Sequence, residues 1–138
     1  MRELAQIRQE LDEIDREMVK LFERRMTLCR EVARTKLAQG KPVLDASREA
    51  QVLESRAAML TDASLVEAVQ ALYREMMALS RQEQEKLLRE AKNELINIAK
   101  FTADIDAIVF VGLPLAYKGK LYNAAAALNR GKILGIVP

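Results

Sequence analysis

Leu4, Ile7, Leu11, Ile14, Met18, Leu21, Arg25, Leu28, Val32 and Thr35 advance by alternating steps of three and four. That spacing is the a/d seam of a coiled coil and predicts one long first helix. Gly40 and Pro42, in AQGKP, mark its end. About 36 residues at 1.5 Å each give roughly 54 Å, about twice the width of a 90-residue globule. Such a helix cannot bury its seam against its own short chain. The pattern therefore predicts an intertwined homodimer.

A second helix is expected after Asp45, a good N-cap, with Val52, Leu53, Ala57 and Leu60 turned inward. A third is expected to open near Asp62, with Leu65, Val69, Leu72, Tyr73, Met76 and Met77 on one face. The same face continues through Ser80, Gln84 and Leu87, and the helix is expected to reach Ile98. The chain changes character near residue 90: charges thin out, and every Gly except Gly40 lies beyond it. We expect a helical domain over 1–90 and an appendage over 91–138, a helix extension followed by strands. AIVFVGLPL, LYNAAAALN and KILGIVP, bounded by Gly and Lys, predict two or three β-strands. The predicted class is all-α with a short β-rich C-terminal appendage.

Composition narrows the chemistry. The 138 residues include 22 Lys+Arg, 20 Asp+Glu, no His, no Trp and one Cys. Without His there is no imidazole base, His-ligated zinc or Ser-His-Asp triad. Cys29 alone forms neither a disulfide framework nor a Cys-rich metal site, and reads as a small core residue. No metal is expected. A net charge of +2 gives no nucleic-acid footprint. No stretch approaches about 18 uninterrupted apolar residues, and MRELAQIRQELDEID has no leader-like apolar region, so a soluble, cytoplasmic chain is expected.

The informative residues are the polar ones that interrupt apolar stripes. Arg25 occupies a seam position between Leu21 and Leu28. On the adjacent stripe Arg8, Asp15, Phe22, Cys29 and Lys36 lie seven apart, so Arg8 and Lys36 are expected to flank the same edge. Ser80 and Gln84 hold core spacing on the third helix, and Asp45, Arg48 and Glu49 open the second. Asp45 and Glu49 are too few to neutralise Arg8, Arg25, Lys36 and Arg48, and a buried unpaired cation costs several kcal/mol. Either the cations splay into solvent, or they line a pocket for a small, multiply anionic ligand.

Arg8, Arg25, Lys36, Asp45, Arg48, Glu49, Ser80 and Gln84, with the ERR of the first helix and the KPVLDASRE after it, resemble the all-helical (AroQ-class) chorismate mutases over residues 4–90. The resemblance implies three-helix protomers in an intertwined dimer with two shared sites and no cofactor. It implies that Arg8 comes from the opposite subunit. Arg25, Lys36, Arg48 and Ser80 would face the substrate carboxylates, and Asp45 and Glu49 the substrate hydroxyl. Lys36 and Gln84 would donate to the ether oxygen of chorismate. The alternatives are isochorismate pyruvate lyase, whose pocket is built alike, and a non-catalytic helical dimerisation module.

The tail VGLPLAYKGKLYNAAAALNRGKILGIVP resembles part of the nitrilase-like glutaminase domain of glutamine-dependent NAD synthetases, over about residues 105–138. That family works with a Glu, a Lys and a Cys. The matching stretch has no Glu and no Cys, and ends at the VP after which the Lys is expected. No glutaminase activity is carried over.

Overall fold

The computed structural model describes residues 1–138. In chain order it comprises α1 (Leu4–Ala38), α2 (Ala46–Ala57), a single 3-10 turn (Ala63–Leu65), α3 (Val66–Phe101) and strands β1 (Val109–Tyr117), β2 (Lys120–Asn129) and β3 (Lys132–Val137). The structure is mostly helical, with a small antiparallel sheet of order β1-β2-β3 at its C-terminal end.

α1 is one unbroken helix of 35 residues, about 52 Å long. Its end is set by Gly40, whose φ of +65° suits a residue without Cβ. The Lys41 N–H donates to the Lys36 carbonyl and the Gly40 N–H to that of Leu37, the paired bonds of a Schellman cap. The stripe buried within the protomer is Met26, Ala33 and Leu37, one step round from the predicted seam. The seam itself is uncovered: Leu4, Ile7, Leu11, Ile14, Met18 and Leu21 are 39–63% exposed. α2 starts at Asp45, whose side chain accepts from the Arg48 N–H at 2.9 Å, and Val52 is its buried residue.

Asp62 opens the next segment as expected, its Oδ1 accepting from both the N–H and the hydroxyl of Ser64. It caps the 3-10 turn, and α3 follows directly. α3 outlasts its expected end at Ile98 and runs to Phe101, because its last turns have their own packing partner. Leu95 and Ala99 form one buried cluster with Leu113 of β1 and Ala124, Ala126 and Leu128 of β2. Val109, Val111, Leu113 and Leu115 share one face by the two-residue alternation of a strand. The register sets Val111 against Ala126 and Leu113 against Ala124. Small alanines on β2 leave room for the helix.

Both hairpins close through two residues at positive φ: Lys118 and Gly119, then Arg130 and Gly131. That pair of conformations carries the twist of antiparallel strands through a tight turn. The second turn docks on the end of α3, where the Gly131 N–H donates to the buried Thr102 Oγ1 at 3.0 Å. That hydroxyl in turn donates to the Ala99 carbonyl at 2.7 Å. The sheet also reaches α1, through Asn123 Nδ2 donating to the Ala38 carbonyl at 2.8 Å.

Candidate active site

The packed half of α1 meets the middle of α3 through polar side chains. Arg25 donates to Ser80 Oγ at 3.3 Å and lies 3.7 Å from Cys29 Sγ, and Arg30 pairs with Glu83 at 3.0 Å. Partners advance together on both helices, so the two run in the same direction here. Ser80 is 6% exposed, and its hydroxyl lies 2.9 Å from the Met76 carbonyl, the bond a serine inside a helix makes to the preceding turn. Arg25 also stands 6.0 Å from the Tyr73 ring centroid, and Arg56 stands at the same distance from that ring. An aromatic face is a favourable neighbour for guanidinium groups.

One turn beyond Ser80, Gln84 is 7% exposed and its Oε1 is buried without a hydrogen-bond partner. Buried polar atoms are rarely left in that state, and those that are call for an explanation. Lys36 is half-buried in the last turn of α1, and its Nζ donates to the Val43 carbonyl in the α1–α2 connection at 3.1 Å. The ammonium has two further N–H donors.

Both acids have partners within the protomer, Asp45 the one its N-cap position predicts. Asp45 is spent on the cap of α2 through the Arg48 N–H. Glu49 pairs through Oε1 with Arg81 of α3, a cation the sequence did not single out. None of Arg8, Arg25, Lys36 and Arg48 makes an ion pair. Arg48 itself is exposed at the first turn of α2.

Arg8 lies apart from the others. It sits on the unpacked half of α1, about 26 Å along the axis from Arg25. The expected common edge of Arg8 and Lys36 is therefore not assembled within one protomer. Next to Arg25, an open groove of about 660 Å³ runs between α1 and α3, lined by Met18, Leu21, Phe22, Leu72, Tyr73 and Met76 among others. No group of three or more His, Cys, Asp or Glu side chains stands close enough to hold a metal ion. No helix is long and apolar enough to cross a membrane.

Helices α1 and α3 thus form a helical scaffold that brings Arg25 to the buried Ser80, one turn before the buried Gln84. The chain belongs to the chorismate mutase type II family, whose model matches residues 7–85, more than half of its length. It is similar to the T-protein of Haemophilus influenzae, with 36% identity over 56 residues, 41% of this chain and 15% of that protein. It is also similar to glutamine-dependent NAD(+) synthetases. With that of Mycobacterium bovis it shares 34% identity over 55 residues, 40% of this chain and 8% of the relative. With that of Aquifex aeolicus it shares 43% over 53 residues, 38% and 9%. The chain thus spans less than a sixth of the length of these relatives. No solved structure matches.

Proposed function

We propose that the protein is a chorismate mutase, a cytoplasmic enzyme of phenylalanine and tyrosine biosynthesis that converts chorismate to prephenate without cofactor or covalent intermediate. The observation that carries this reading is that Arg25, Lys36 and Arg48 have no carboxylate partner in the protomer, while Arg25 meets the buried Ser80 one turn before the buried Gln84. A substrate with two carboxylates would supply the missing negative charge.

The reaction is a unimolecular Claisen rearrangement, so the protein contributes geometry and electrostatics. Arg25 and Arg48, with Arg8 from a second copy, hold the two carboxylates and keep the dianion in its compact diaxial form. That replaces a conformational search with a near-attack geometry. Lys36 Nζ and the Gln84 amide donate to the ether oxygen, which gains negative charge as the C–O bond breaks. Ser80 adds a hydroxyl to the carboxylate site. The free Oε2 of Glu49 accepts from the substrate hydroxyl, while Asp45 holds the start of α2 through the Arg48 N–H.

Pairing two copies along the exposed seam of α1 brings Arg8 within reach of the opposite site. Each half-exposed Leu or Ile it covers contributes on the order of 1 kcal/mol. The open groove beside Arg25 receives the other copy's helix.

Purified protein is expected to deplete the ultraviolet absorbance of chorismate and to yield prephenate. Release of pyruvate from isochorismate, with chorismate untouched, would instead assign the lyase reaction. Inertness toward both would leave the dimerisation module.

A further inference from the structure

Glu49 is an awkward residue for a pocket that binds a dianion, since a bare carboxylate there repels the ligand it is meant to help. Arg81 resolves the conflict. It follows Ser80 on α3 and pairs with Glu49 Oε1 across the α2–α3 boundary. Both side chains are about two-thirds buried, at 32% and 28% exposure, so water screens the pair less than the more exposed Arg2–Glu10 and Lys86–Glu90 pairs. Asp45 is already committed to the cap of α2. Neither acid is paired with the side chain of Arg25, Lys36 or Arg48, whose charges stay available to a ligand.

We propose that Arg81 is a positioning residue: it neutralises and orients the Glu49 carboxylate, and so sets the affinity of the pocket for a doubly negative ligand. This deepens the mutase reading and rests on it. Oε1 is held by Arg81, and Oε2 is left pointing free to accept one hydrogen bond from the substrate hydroxyl. Without Arg81 the carboxylate gains a full uncompensated charge and rotational freedom. An ordinary α2–α3 staple would instead lower stability and leave ligand affinity alone.

The test compares Arg81→Ala, Arg81→Lys, Glu49→Gln and the Arg81→Ala/Glu49→Gln pair, with steady-state turnover of chorismate and calorimetric titration of chorismate. Arg81→Ala is expected to raise KM and weaken binding about tenfold, with kcat changed less than about threefold, and Arg81→Lys to recover most of the loss. In the Glu49→Gln background, where there is no charge to neutralise, Arg81→Ala is expected to change affinity less than about twofold. Equal losses in both backgrounds, or a lower melting temperature with unaltered affinity, overturn the proposal and leave the mutase reading standing. Wild-type protein that binds chorismate without turnover refutes the mutase reading, and the same comparison of affinities then decides the role of Arg81. Wild-type protein that does not bind chorismate at all removes both.

Discussion

On the proposed mechanism Gln84 sets stability and activity in opposition, and Gln84→Met measures both. The wild-type side chain is 7% exposed with Oε1 unpaired. A buried polar atom without a partner costs about 1–3 kcal/mol. Methionine keeps the unbranched length and fills the same space with an apolar, adaptable chain. The substitution is therefore expected to raise the free energy of unfolding by about 1–2 kcal/mol. With a urea slope of about 2 kcal/mol per molar, the midpoint moves up by roughly 0.5–1 M. Wild type and variant are unfolded at one protein concentration, because the stability of an associating chain depends on it. The same change deletes a proposed donor to the ether oxygen, so kcat on chorismate is expected to fall about 10²–10³-fold. A midpoint that drops would show that the amide is satisfied in the resting protein. Turnover near the wild-type rate would show that it does not serve the breaking bond.

Three further outcomes are expected. Lys36→Ala removes the second proposed donor and is expected to lower kcat about 10²–10³-fold, with helical circular dichroism retained; a loss confined to KM would assign Lys36 to binding alone. Arg8→Ala and Arg25→Ala are each expected to be inactive as pure proteins. Mixed in equal amounts after subunit exchange they should regain about a quarter of wild-type activity, because half the dimers are mixed and each has one intact site; no recovery would place both arginines in one protomer's site. Hydrogen bonds from Ser64 hold the Asp62 carboxyl below its ordinary value of 3.8. Its contribution to stability is thus complete above that ordinary value and is lost as pH falls through the depressed one. Carbon-detected titration of Asp62 with a midpoint at or above 3.8 would contradict the capping geometry.

Much of the architecture was legible because it rests on local patterns. The three-four spacing of α1, the Asp45 cap and the alternating strands bounded by Lys-Gly and Arg-Gly all act within a few residues of themselves. Polar residues at apolar spacing also drew attention to Arg25, Ser80 and Gln84. Arg81 was invisible for the opposite reason. It stands in RQEQEK, a run like any solvated helix face, and its partner is 32 residues away. The length of α3 was hidden in the same way: Leu95 and Ala99 keep helical spacing, but what they pack against is on strands that come later in the chain. Arg8 could be assigned a role only through the family resemblance, since within one chain nothing brings it to the others.

One spindle runs through both halves of the molecule. The helix that presents Ser80 and Gln84 also carries Leu95 and Ala99, the floor on which the strands rest. Cutting the chain where its composition changes, near residue 90, would sever that spindle in mid-course and discard the Thr102 hydroxyl that pins its far end. It would also release the Asn123 tether from the tip of α1, two residues past Lys36. Excision of the strands thus leaves the end of α1 to fray next to the ammonium group on which turnover would depend.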